Sequence, residues 1–508
     1  MRWVTIILSL EQTHMRLVHS PIFLGLVVLA ASPSFSKAVT EADLRSHIGI
    51  LASDAFEGRK PGTAGEAKTV KYIAKAWAKA GLKPAAADGS WFDPVPLIQR
   101  GQCISKHAFT AKGRPLRIGS DDIILIGKQA SYIRGDLPLV FVGRGVTTQG
   151  NVAADVKGKA AIILFDAENV AEGMKSPRAR REALIAAGAE AVIFVADSRG
   201  NWPTLRRQLL SRPITLEGRE KRAPLEGAIS TEFAVGLVTA AGQDWDKLRA
   251  NAKQADYAGE ALGIDADLDV KTDLYRFNSS NVIGKIAGRK KNSGALVFMG
   301  HWDHLGICAP EGAPDRICNG AVDNASGIAV MNEVAKALAK KKHDRDIYFL
   351  ATTAEESGLL GAYAFADKPV LPLDQIILTL NIDTIAIAPR GSKVAIIGRG
   401  TTPLDAVVET VAKKAGRTIE ESTDANAFIE RQDGWALAKK GVPALMVGGS
   451  FADLNLLQKF LGSDYHGPND ALTDRTELGG AAEDADLHIA LGRHFADTRK
   501  YKSKKAGE

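Results

Sequence analysis

ALVFMGHWDH, residues 295–304, is an apolar run of strand length that ends at once on His301, Asp303 and His304. Two later stretches repeat the design: DIYFLATTAEES (346–357) ends on Glu355 and Glu356, and IILTLNIDT (376–384) ends on Asp383. A fourth run, ALMVGG (444–449), is followed at a distance by SDYHGPND (463–470), which carries His466. Between the first two lies NGAVDNASG (319–327), a small-residue turn that holds Asp323 and opens the helical pattern IAVMNEVAKALAKK (328–341). Apolar runs alternate with helical periodicity from about Leu274 onward. This predicts an α/β fold with a mostly parallel central sheet flanked by helices. In an open sheet of that kind the carboxyl ends of the strands form a ligand-binding rim, so residues far apart in sequence converge there.

The expected convergent set is His301, Asp323, Asp383, His466 and one of the adjacent Glu355 and Glu356. Two histidines and three carboxylates suit zinc, with cobalt or manganese able to substitute. Two ions about 3.5–4 Å apart need one bridging carboxylate, after which each takes one His and one further carboxylate. A carboxylate that is not a ligand must then accept the attacking water's proton. Glu355 and Glu356 divide the roles of base and ligand, because neighbours at a strand-to-loop turn point in different directions. Asp303 is read as a supporting catalytic residue that accepts the second ring N–H of His301. His304 is given a structural or substrate-side role. A single His or Glu-Glu pair is more often a core or solvated feature, and it is their joint occurrence at strand ends that carries the reading.

Upstream, LASDAFEGRKPGTAGEAKTVKYIAKAWAKAGLKP (51–84) gives a turn-rich loop and an amphipathic helix from about Ala67 to Ala80, stopped by Gly81. From about Pro138 the runs PLVFVG, AAIILFD, AVIFVAD and AVGLVT, with REALIAAGAEA as a helix ahead of the third, predict buried strands of a smaller inserted α/β or mixed-β module. The expected organisation is a signal peptide over 1–37 with Met15 as an alternative start, the first part of the main domain over 38–118, the insertion over 119–266, the remainder of the main domain over 267–500 and a basic tail over 501–508.

The 508 residues, 45% hydrophobic and 24% charged, are enough for two cores. The formal charge of +6 includes Arg2, Arg16 and Lys37 against Glu11; without these four it is +4, with no basic stripe and no nucleic-acid signature. From Met15 the basic MRLVHS, apolar PIFLGLVVLAA and small-residue SPSFSKA follow the order of a secretory signal, with cleavage around Ser36 to Ala38. The expected location is periplasmic or secreted, with no stable membrane span after cleavage. Export permits disulfides. Cys308 and Cys318 either close a short loop, worth ~2–3 kcal/mol in the chain-entropy model, or stay as two thiols; Cys103 is the odd one. Oligomeric state is not legible.

Taken together, HWD, VDNASG, EESGLLG, NID and YHGPND resemble the co-catalytic zinc exopeptidase family that includes aminopeptidase Y, bacterial leucyl aminopeptidases and glutamate carboxypeptidase II. The likeness extends to LASDAFEGRKPGTAGE and SNVIGKIAG, and the intervening segment resembles the protease-associated domain often inserted in such enzymes. It implies two zinc ions per chain on His301, bridging Asp323, Glu356, Asp383 and His466, with Glu355 as base and peptides as substrates. Aminopeptidase action is the expectation. The alternatives are carboxypeptidase action on acidic peptides, with Arg431 as a candidate grip, and glutaminyl cyclisation on the same fold. Thr384 and Ala386 depart from the family's usual residues after the Asp383 position. Gly434 and Trp435 replace a His and an aromatic beside the substrate side chain, and the loop from His301 to Asp323 is longer than a minimal member needs. HWDH also echoes the metallo-β-lactamase motif, but Met299 stands where its first His belongs. The intact ligand set argues against a metal-free receptor-like module.

Overall fold

Side chains alternate across a strand, and Ala295–His301 uses both of its faces: every residue in it is buried. Leu296 and Phe298 join a core with the helices Glu41–Leu51, Ala64–Ala80, Ser326–Ala339 and Gly479–Phe495. Ala295, Val297 and Met299 join a second core with Leu360–Asp367 and Gly434–Ala438. Helices therefore cover both faces, as the near-continuous apolar runs require. The computed structural model describes residues 38–166, 168–197, 201–210, 213–218 and 224–502. The signal-peptide reading of residues 1–37, the alternative start at Met15 and nearly all of the tail lie outside the described residues.

Among the described residues one sheet of 15 strands runs through the chain. In its first half Ala295–His301 pairs in parallel with Asp346–Thr352 on one side and Ile376–Asn381 on the other, and Ile376–Asn381 pairs in parallel with Ala444–Gly448. The registers align His301 with Thr352 and Met299 with Asn381, so three neighbouring strands end almost level and their loops leave the sheet together. In the other half Ser131–Phe141, Ala160–Leu164, Ala191–Ala196 and Leu225–Ser230 are parallel neighbours around a core of their own. The two halves are joined by the 27-residue strand Glu260–Ile286, which pairs with Phe92–Ala111, Ser131–Phe141 and Asp346–Thr352.

AVGLVT (234–239) was expected to be a strand and lies instead in the helix Thr231–Ala240. Ser230 decides this: it ends the preceding strand, and its hydroxyl accepts the Phe233 N–H at 3.1 Å, capping a helix whose Phe233, Ala234, Leu237 and Val238 are buried. The helix expected from about Ala67 begins one turn earlier, at Ala64, and ends as expected at Gly81, whose φ of +99° is the left-handed stop. No helix of the described residues is long and apolar enough to cross a membrane.

Candidate metal centre

The level strand ends bring the loops together, and polar cross-links then fix them. His301 is the last residue of its strand, Glu355 and Glu356 follow Asp346–Thr352, and Asp383 follows Ile376–Asn381. Asp323 sits in the irregular turn ahead of the helix Ser326–Ala339. Asn324 ties three of these loops: its Nδ2 donates to the carbonyls of His301 (3.3 Å) and Ile382 (3.1 Å), and its Oδ1 accepts the N–H of Gly327 (2.9 Å) and Thr384 (3.3 Å). Gly327 is required here, because a Cβ would stand 2.2 Å from Asn324 Oδ1 and 2.4 Å from the Ile382 carbonyl.

The donor atoms form two sets that share one residue. His301, Asp323 and Asp383 offer atoms within 4.8 Å of one another, and so do His304, Asp323 and Glu356. His301 Nε2 lies 3.1 Å from Asp323 Oδ1 and 3.3 Å from Asp383 Oδ1. On the other side His466 Nε2 lies 3.4 Å from Asp323 Oδ2 and 2.8 Å from Glu356 Oε2. The two oxygens of Asp323 thus face different histidines. The structure brings all five residues of the expected set together, and it adds His304, whose Nδ1 is 2.6 Å from Glu356 Oε1.

Asp303 differs from expectation in detail. His301 Nδ1 meets the backbone carbonyl of Asp303 at 3.1 Å, whereas the carboxylate Oδ1 is 3.8 Å away and accepts the Glu355 N–H at 3.0 Å. The backbone after His301 thus meets the ring with the Asp303 carbonyl and turns the Asp303 carboxylate toward the next loop. Asp303 is fully buried, and burial together with the neighbouring carboxylates pushes it up to about 8. Burial also drives Glu355 well above the carboxylate range, with Glu356, Asp433 and Asp383 adding to it against the pull of His301. His301 is held well above the imidazole range: its burial lowers it, but Glu355, Asp383 and Asp323 outweigh that.

Arg59, Asp470 and Asp433 also serve the site and were not singled out in the sequence. Arg59 is buried and donates to the carbonyls of Leu51 (2.8 Å), Trp302 (2.9 Å), Asn319 (2.6 Å) and Gly320 (2.9 Å), clamping both donor loops. Asp470, four residues beyond His466, accepts backbone N–H groups from the Asp323 turn. Buried Asp433 accepts from the Thr352 hydroxyl at the strand end. Thr384, one of the departures from the family pattern, donates its hydroxyl to Asp383 Oδ1 at 3.0 Å. Arg431 lines a small cavity beside Asp383 and stacks over Phe428.

The donor set fits a metal pair. Three carboxylates crowd a space largely closed to water, which demands compensating positive charge, and imidazole with carboxylate is zinc chemistry. His304 Nε2 and Asp303 Oδ2 are also buried without a hydrogen-bond partner among the described residues.

Residues 281–488, which hold every residue of the donor set, match the sequence pattern of peptidase family M28. Over this segment the chain is similar to M28 peptidases. The chain is 27% identical over 180 residues to Aminopeptidase NAALADL1 of Rattus norvegicus, covering 34% of this chain and 21% of that protein. It is 28% identical over 232 residues to Aminopeptidase YwaD of Bacillus subtilis, covering 45% of this chain and 39% of that protein. These matches span well under two thirds of either relative. Among solved structures, the aminopeptidase from Aneurinibacillus sp. strain AM-1 superposes with a TM-score of 0.52 at 20% identity, over 90% of this chain and 94% of that one. The likeness establishes a shared α/β fold along nearly the whole chain. Arg59 lies outside the M28 segment yet clamps its donor loops from the N-terminal part of the chain.

Proposed function

We propose that the chain is an exported zinc-dependent exopeptidase, an aminopeptidase that removes N-terminal residues from peptides, with two zinc ions on His301, Asp323, Glu356, Asp383 and His466. One observation carries the reading: Asp323 turns one carboxylate oxygen to His301 and the other to His466, the arrangement a bridging ligand needs. Bound zinc would supply Lewis-acid polarisation of the scissile carbonyl and lower the pKa of water. His301 is oriented by its Nδ1 contact with the Asp303 carbonyl, which leaves Nε2 to face the donor set. Glu355, fixed through its N–H by Asp303, takes the proton of the attacking water and returns it to the leaving amine. Asp383 presents a carboxylate on that side, which favours a free amino group there.

Export is supported by the order of residues 15–38 and by the disulfide between Cys308 and Cys318, a bond of oxidising compartments. The segment over 119–266 is read as a protease-associated-type insertion. Release from the carboxyl end is the second reading, favoured by Arg431 at the cavity beside Asp383. A library of short peptides, free or blocked at each end, separates the two by mass spectrometry of the products. Cleavage only of peptides with a free amino end is expected. Activity that survives exhaustive chelation would sink the metal reading.

A further inference from the structure

Two cavities open from the donor set, one on each half. Beside Asp383 is a small one of about 40 Å³ lined by Thr384, Phe428, Arg431, Met446, Leu461 and Tyr465, room for a small group rather than for a chain. Beside His304 and Glu356 is a cavity of about 340 Å³, walled by Lys60, Pro61, Pro213, Ile214 and Leu305. Lys60 is its cation, and among the described residues no carboxylate pairs with it. Its stem is held in place: a Cβ on Gly306 would meet Lys60 Cβ at 2.8 Å and Cδ at 3.2 Å, so the aliphatic chain lies along that glycine. Gly306 opens the short ladder with Ile317–Cys318, and the Cys308–Cys318 bond ties the two strands of that hairpin. The extra loop between His301 and Asp323 therefore supplies the seat of a lysine.

Charge complementarity orients a substrate across the centre. Asp383 offers a carboxylate to an amine at the first cavity, which Arg431 also lines, and the opposite cavity, roomy enough for one further residue, has Lys60 at its wall with Asp303 and with Glu356 of the donor set. We infer that Lys60 receives the terminal carboxylate of the residue that leaves, and that the substrates are dipeptides with both ends free. This rests on the exopeptidase reading and narrows it. A carboxylate on the side chain of the second residue presents the same chemistry, and the test separates the two sources.

The zinc-loaded full chain is assayed with alanyl-leucine, alanyl-leucinamide, and alanyl-aspartic acid α-amide, in which only the side chain is anionic. A charge-assisted contact predicts kcat/KM for alanyl-leucine about tenfold or more above that of its amide. That preference disappears in Lys60→Ala and is kept in Lys60→Arg, with thermal unfolding of both variants matching the parent. Equal rates for acid and amide in the parent, or an unchanged preference in Lys60→Ala, overturn the role of Lys60. If the aspartic α-amide matches alanyl-leucine and depends equally on Lys60, the dipeptide assignment falls and an acidic second residue replaces it. Hydrolysis of none of the three overturns the exopeptidase reading itself.

Discussion

The carboxylate of Asp470 accepts the backbone N–H of Asp323 at 3.0 Å through one oxygen and that of Val322 at 2.8 Å through the other. The Ala321 N–H adds a third bond, to the Asp470 backbone carbonyl at 3.0 Å. Asp470 is buried, so no water replaces the carboxylate when it is removed. Asp470→Ala leaves two buried donors unpaired at about 1–3 kcal/mol each, and it frees the turn that aims Asp323 at both histidines. Asp470→Asn keeps one acceptor and should lose roughly half as much. Thermal unfolding gives the stability loss, and elemental analysis should show less than the parent's zinc in Asp470→Ala. A variant with full stability and full zinc would mean that the turn holds itself.

Arg59 plays the same part from the other end of the chain. Its guanidinium reaches four carbonyls on three segments, a geometry that one ammonium cannot reproduce. The carboxylates of Asp470, Asp323, Asp303 and Glu356 also act on it, and their pull partly offsets the burial that lowers it to about 10. Arg59→Lys should be destabilised, and Arg59→Ala more so, by about 3 kcal/mol or more. Urea unfolding with chelator present in every sample reads this without a contribution from bound metal. An Arg59→Lys variant as stable as the parent would show that the loops do not depend on the fork.

These two residues mark where the sequence stopped being legible. His301, Glu355, Glu356 and Asp383 each follow an apolar run directly, so the strand-end rule brings them together without knowledge of the fold. Asp470 and Arg59 act on backbone atoms, and a carbonyl leaves no trace in the sequence at the position that needs a partner. The long strand Glu260–Ile286 did leave a signal. Leu262, Ile264, Ala266, Leu268 and Val270 are all buried and alternate with Gly263, Asp265, Asp267 and Asp269, a period of two visible in GIDADLDV. AVGLVT was misread because a short apolar run fits a strand or a helix equally, and the Ser230 cap separates them.

Glu355 and Glu356 are neighbours with different surroundings, and exchanging each for its amide should separate their roles. Glu356 touches His304 and His466 directly, whereas Glu355 has Asp303 behind its backbone and, among the described residues, no histidine bonded to its carboxyl. Glu355→Gln should keep the parent's zinc content and lose turnover a hundredfold or more. Glu356→Gln should lose zinc first. Elemental analysis beside steady-state rates decides it, and zinc loss in Glu355→Gln instead would exchange the two assignments.

His488 gives a pH dependence far from the donor set. Its ring is buried in the helix Gly479–Phe495 against Phe298, its Nδ1–H donates to the Asp484 carbonyl at 2.8 Å, and burial lowers it to about 4. A base depressed in the folded state contributes its full stability above the unfolded value of about 6.5 and loses it as pH falls through 4, because the unfolded chain takes the proton first. The difference amounts to about 3 kcal/mol. Asp484, one turn away and paired with Arg417 at 2.7 Å, runs the other way: burial raises it to about 6, so the fold gains as pH falls from 6 toward 4. The two nearly cancel in the parent, and a single pH profile hides both. His488→Leu removes one of them. Its stability relative to the parent, from urea midpoints at each pH, should therefore rise by about 3 kcal/mol between pH 7 and pH 4. A constant difference across that window would mean that His488 keeps an ordinary affinity for its proton in the fold.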